Sequence, residues 1–149
     1  MAEYFLDSSA LVKRYIEEPG TDHVLQLFGK GHRLVVSHLA RVEVTSALAR
    51  RARAVKLGSE QVDIVASAME TEFRQVFEVV ELGGGVLSLA AELTRVHALK
   101  ASDAIQLACA LVACGDRGSS TSLTLVSCDR ELNAAAEQEN LAVLDPTQA

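Results

Sequence analysis

An α/β fold, with a parallel sheet covered by helices on both faces, follows from three features of this chain. Short apolar runs rich in strand formers alternate with longer segments whose apolar positions recur at helical spacing. The runs are too short to be helices of their own. The first of them, Tyr4-Phe5-Leu6, stops at Asp7 and passes directly into a segment that Ser8 and Ser9 can cap. A buried strand that ends on a carboxylate and turns into a helix is the opening unit of such a sheet. In open parallel sheets ligands sit just beyond the carboxyl ends of the strands, so Asp7 stands where chemistry is usually done.

The remaining elements follow in order. Ala10, Leu11 and Tyr15 mark the first helix, which Glu17-Glu18-Pro19-Gly20 ends. Thr21 opens a short helix carrying Val24, Leu25, Leu27 and Phe28, stopped by the glycines at 29 and 31. Arg33 to Ser37 (RLVVS) is the second strand, and Leu39 to Ala54 the helix after it. Gly58 breaks that helix. Ser59 starts another, to Phe73, with Glu60 and Asp63 suiting the positive end of its dipole. Val76 to Leu82 reads as a third strand. Gly83-Gly84-Gly85 lacks a following G-K-S/T or G-x-G-x-x-G and is expected to be a loop before a helix from Val86 to His97. Ser102 is expected to cap a nearly all-apolar helix from Asp103 to Cys114, followed by a Ser-rich loop from Asp116 to Ser122. Leu123 to Ser127, Arg130 to Glu139 and Leu141 to Leu144 complete the pattern as strand, helix and strand, for about four or five strands in all.

With 149 residues, 49% of them hydrophobic, the chain can bury a sizeable core and is expected to be one domain over 1–149. The core must be aliphatic, because aromatics make up 4% and Trp is absent. An acidic start at Glu3 and an apolar run of three residues do not resemble a secretory signal, and no apolar stretch approaches a membrane span. A soluble, cytoplasmic protein is expected. Cys109, Cys114 and Cys128 are odd in number and lack C-x-x-C pairing, which argues against a disulfide scaffold or a zinc site. The four histidines are scattered. Net charge is −6, yet Lys30 to Lys56 holds seven basic residues against Glu43 alone, a local balance of +6. Such a block either attracts a phosphate backbone or an acidic partner, or is a solvated helix face.

Four acids stand at four element ends. Asp7 ends the first strand, and Glu43 lies early in the helix after the second. Asp103 opens its helix, and Asp129 follows the fourth strand. Strand ends and the starts of the following helices share one rim of a parallel sheet, so all four acids can reach a single cleft. Carboxylates clustered this way repel one another unless a cation compensates. Oxygen ligands select Mg²⁺ or Mn²⁺, and the chemistry they support is phosphodiester hydrolysis by a metal-activated water. Ser8, Ser9 and Ser127 can orient the ligands from behind.

LDSSALVKRY around Asp7, ARVEVTSAL around Glu43, LKASDAIQLA around Asp103 and SCDRELNAAA around Asp129 resemble PIN-domain ribonucleases, and among them the VapC-type toxins of toxin–antitoxin pairs. The likeness covers nearly the whole chain in the family's order and spacing. It implies a three-layer α/β/α sandwich and Mg²⁺- or Mn²⁺-dependent cleavage of RNA. It further implies a homodimer and inhibition by a cognate antitoxin. By this match Asp7, Glu43, Asp103 and Asp129 are the catalytic, metal-binding acids, Ser9 is the hydroxyl beside the first, and Ser127 stands where the family often has Thr. Lys13, Arg14, Arg50 and Arg53 are then candidates to contact RNA or an acidic antitoxin segment. A catalytically silent PIN-like RNA- or protein-binding module is the alternative. A phosphohydrolase with Asp7 as covalent nucleophile is disfavoured, because such enzymes commonly carry a second acid two residues on, where this chain has Ser9.

Overall fold

The computed structural model describes residues 1–56, 58–115 and 122–148. Its strands are β1 (Glu3–Leu6), β2 (Arg33–Ser37), β3 (Glu78–Val80), β4 (Leu123–Val126) and β5 (Ala142–Leu144). They form one all-parallel sheet in the order β3-β2-β1-β4-β5. The helices are α1 (Ser8–Tyr15), α2 (Thr21–Leu25), α3 (His38–Ala54), α4 (Ser59–Gln75), α5 (Gly84–His97), α6 (Ala101–Gly115) and α7 (Arg130–Gln138).

Alternation along the strands divides the helices into two layers. Phe5, Val35 and Leu125 belong to one apolar cluster, together with Ala90 and Leu93 of α5, Leu107 of α6 and Leu132 of α7. Their sequence neighbours Leu6, Val36 and Val126 belong to the other, with Leu11 of α1, Val44 and Leu48 of α3 and Met69 of α4. The result is a three-layer α/β/α sandwich. Phe5 and Leu6 are fully buried, and sequestering each from water stabilises the fold by about 1.5–3 kcal/mol.

The strand order positions the site. From β1 the chain moves outward to β2 and β3, then crosses back to β4 on the other side of β1 and out to β5. A crevice opens beyond the carboxyl ends of β1 and β4, where that direction reverses. The opposite end of the sheet carries a pinned ion network. Arg33 donates to Glu3 at 2.6 Å and grips Glu78 with two hydrogen bonds of 2.6 Å, linking β1, β2 and the start of edge strand β3. Arg33 and Glu3 are both buried.

Several boundaries depart from the sequence expectation. β3 is shorter than Val76 to Leu82, because the Val76 N–H closes the last turn of α4 on the Glu72 carbonyl. Phe77 turns back into the core, edge-on to Phe73 and Phe28. Gly84 and Gly85 belong to the first turn of α5, with Gly83 as its N-cap, rather than to a loop. Ser102 does not cap α6. That helix begins at Ala101, and the Ala104 N–H bonds back to the Lys100 carbonyl, which makes Asp103 its third residue. The expected loop after Gly115 falls largely on residues 116–121, outside the described residues. Among the described residues no single helix is long and apolar enough to cross a membrane; α5 and α6 pass such a test only jointly and meet at a bend of 118°.

Candidate active site

Asp7 is the first residue beyond β1 and the N-cap of α1, its Oδ1 accepting the Ala10 N–H at 3.0 Å. The same oxygen accepts the Ser9 hydroxyl at 2.7 Å, and Oδ2 accepts the Ser127 hydroxyl at 3.0 Å. Only 4% of Asp7 is exposed. Burial pushes its carboxyl up to about 6 from an ordinary 3.8, against the lowering effect of those three hydrogen bonds, and the negative charge of Asp103 adds to the rise. Ser127, fully buried, also accepts the Asp129 N–H at 3.1 Å. Ser9 accepts the Cys128 N–H at 3.0 Å. The two hydroxyls thus stitch the end of β1 to the end of β4 across the crevice.

Asp129 is the N-cap of α7, its Oδ1 accepting the Leu132 N–H at 3.0 Å. Asp103 lies in the first turn of α6, half-buried. Burial raises its pKa first, then repulsion from Asp129, Glu43 and Glu131, with Lys100 partly compensating. Glu43 reaches the same place from the second turn of α3. Its Oε1 accepts the Ser8 hydroxyl at 2.6 Å and the Gln106 amide at 3.1 Å.

Asp7, Glu43, Asp103 and Asp129 come from four elements, and repulsion couples Asp103 to each of the other three. The donor set is all hard oxygen, which suits Mg²⁺ or Mn²⁺. Among the described residues, no three Asp, Glu, His or Cys side chains stand as a ready-made ligand cage. The hydroxyls and backbone N–H groups hold the acids in place instead. Cys128 beside Asp129 is half-buried, and burial pushes its thiol up to about 11. It is a protonated, weakly nucleophilic group at neutral pH.

The chain matches the PIN domain family over residues 4–138. The chain belongs to the PIN-domain family. Ribonuclease VapC49 of Mycobacterium tuberculosis (strain ATCC 25618 / H37Rv) is 34% identical over 146 residues, covering 95% of this chain and 97% of that one. In fold this PIN domain is similar to FitAcB from Neisseria gonorrhoeae, with a TM-score of 0.70, 17% identity and coverage of 98% and 99%. A toxin–antitoxin complex from Klebsiella pneumoniae is similar at a TM-score of 0.62, 16% identity and coverage of 97% and 98%.

The basic candidates divide. Lys13 is buried and pairs with Glu18 at 2.7 Å. Arg14 is bidentate to Glu72, which also accepts the Tyr15 hydroxyl, and its guanidinium lies 3.9 Å from the centre of the Phe28 ring. Both are committed to internal pairs that bind α1 to its neighbours. Within the basic block, Arg33 lies in the network at the far end of the sheet and Arg41 pairs with Glu70. Arg50 and Arg53 are exposed on the later turns of α3.

Sequence reasoning passed over Gln106. It is one helical turn beyond Asp103, only 2% exposed, and bonded to Ser37 of β2, Ser8 of α1 and Glu43 of α3. The available signal was a long polar side chain inside an otherwise apolar helix, on the same face as a candidate ligand.

Proposed function

We propose that this PIN domain is a divalent-metal-dependent endoribonuclease that hydrolyses RNA phosphodiester bonds, the toxin of a toxin–antitoxin pair. One observation carries the reading. Four carboxylates gather at the switch point of a parallel sheet, with Asp103 repelled by the other three and Lys100 in partial compensation. Such an arrangement is tolerable at neutral pH when a cation joins it. The name of the Mycobacterium tuberculosis relative supports ribonuclease activity, and the Klebsiella pneumoniae complex supports an antitoxin partner.

Asp7, Glu43, Asp103 and Asp129 would hold Mg²⁺ or Mn²⁺. When bound, the cation supplies an activated water and stabilises the charge that develops on the phosphate. Ser9, Ser127 and the Ala10 N–H fix both oxygens of Asp7, so this ligand pays no ordering entropy on binding. Ser8 orients Glu43, and the Leu132 N–H orients Asp129. Arg50 and Arg53 are the basic groups of the original candidates left to meet an RNA backbone or an acidic antitoxin segment. A homodimer would bring two such sites together in one particle.

The test is cleavage of mixed-sequence single-stranded RNA by antitoxin-free protein. Cleavage should need Mg²⁺ or Mn²⁺, stop in chelator, and fall at least about 100-fold in Asp103→Asn. Cleavage that persists in chelator or in that variant would overturn the reading. RNA binding without cleavage in any divalent ion would make this a silent binding module.

A further inference from the structure

We infer that Gln106 is the positioning residue for Glu43, fixing which of its two carboxylate oxygens remains available for a divalent cation. The inference rests on the metal-dependent reading above and adds to it a residue that touches neither substrate nor reacting atoms. Both N–H groups and the oxygen of the Gln106 side-chain amide are engaged. Its Oε1 accepts the Ser37 hydroxyl at 2.9 Å, and its Nε2 donates to the Ser8 Oγ at 2.9 Å and to Glu43 Oε1 at 3.1 Å. The amide cannot be turned round. A reversed amide would set its oxygen against the Glu43 carboxylate and against a Ser8 hydroxyl whose proton already goes to Glu43.

The geometry links two levels of α3. Ser37 is the N-cap of that helix, its Oγ accepting the Ala40 N–H at 3.2 Å, and Glu43 lies nearly two turns further on. One buried side chain on α6 therefore grips the start of α3 and the acid it presents. Because Gln106 is also three residues beyond Asp103, it ties the spacing of two candidate ligands on two helices to one rigid amide. Both hydrogen bonds that Glu43 receives fall on Oε1. Among the described residues Oε2 accepts none, which leaves that oxygen to the cation. Buried, fully satisfied polar networks of this kind specify a single geometry.

The test compares wild type, Gln106→Met and Gln106→Asn, each alone and combined with Glu43→Gln, by calorimetric titration with Mn²⁺ and by RNA cleavage. Methionine keeps the length and removes the hydrogen bonds; asparagine keeps the amide but falls short of Glu43. Each single variant should weaken Mn²⁺ binding by roughly 10-fold or more, the usual consequence of removing a partner behind a metal ligand. Cleavage should show a matching loss in kcat with an unchanged KM for the RNA. In the Glu43→Gln background neither variant should weaken Mn²⁺ further, because the residue acts through Glu43. Unchanged Mn²⁺ affinity and kcat in a folded variant, or losses that simply add to those of Glu43→Gln, would refute the inference. If Gln106→Met does not fold, Gln106→Asn decides alone. Wild type that neither binds Mn²⁺ nor cleaves RNA would instead overturn the function on which the inference rests.

Discussion

Replacing Asp7 by Asn should abolish cleavage and at the same time make the metal-free protein more stable. In the folded chain the Asp7 carboxyl holds its proton up to about pH 6, against an ordinary 3.8. Below about pH 4 both folded and unfolded states carry the proton, and Asp7 imposes no pH-dependent penalty. Between about 4 and 6 the unfolded state ionises first, so stability falls as pH rises, and above 6 the full penalty applies. The rise from 3.8 to about 6 corresponds to about 3 kcal/mol. An amide cannot ionise and escapes that penalty. It does lose something: the Ser9 hydroxyl and the Ala10 N–H can still donate to its oxygen, but the Ser127 hydroxyl, which donates to Oδ2, would meet an NH₂ group. That mismatch costs about 1–2 kcal/mol. Asp7→Asn should therefore gain about 1–2 kcal/mol over wild type at pH 8 in chelator. The difference should shrink to zero or reverse near pH 4. Urea denaturation at both pH values measures it directly. A variant less stable than wild type at pH 8, or a difference that does not change with pH, would show that burial does not hold this carboxyl up.

The same electrostatics predict that Mn²⁺ raises the melting temperature of wild type and does so far less for Asp7→Asn, as read by thermal shift with and without chelator. Ser127→Ala removes a hydrogen bond that lowers the Asp7 pKa, so the acidic limb of the pH–rate profile should move to higher pH and cleavage below pH 7 should fall several-fold. Arg33→Met takes the arginine away from the buried Glu3 carboxylate and should destabilise the fold by about 3 kcal/mol in urea while leaving Mn²⁺ affinity intact, since the network lies at the opposite end of the sheet. Arg14→Ala should lower stability rather than RNA affinity. Arg50→Ala should weaken RNA binding and flatten its salt dependence by about one ion, in filter binding at two or more salt concentrations.

The sandwich was legible because its central strands are short, apolar and sharply ended. RLVVS from Arg33 to Ser37 is a strand to the residue, and the first strand stops just before Asp7, although Asp7 rather than Ser8 or Ser9 caps the helix that follows. β3 was misjudged because Val76 and Phe77 have strand-forming side chains, yet tertiary packing draws Phe77 into an aromatic cluster before pairing begins. The four acids could be placed on one rim from topology alone. The supports behind them could not. Gln106 meets its partners across 63, 69 and 98 positions of sequence, and a glutamine inside an apolar helix marks a buried polar contact without naming the residues it meets. Lys13 and Arg14 looked available for the same reason. Arg14's partner Glu72 is 58 positions away, while Glu18 lies only five beyond Lys13 in a segment read as a simple helix stop.

The bond from Ser127 to Asp7 spans 120 positions, and central strand β1 lacks one of its neighbours until β4 exists. During synthesis, at roughly 5–20 residues per second, the interval between the two residues is on the order of ten seconds. Throughout it the crevice beyond the ends of β1 and β4 lacks one of its two walls. The crevice is therefore among the last features of the fold to form, since it closes only when residues 123–129 have left the ribosome.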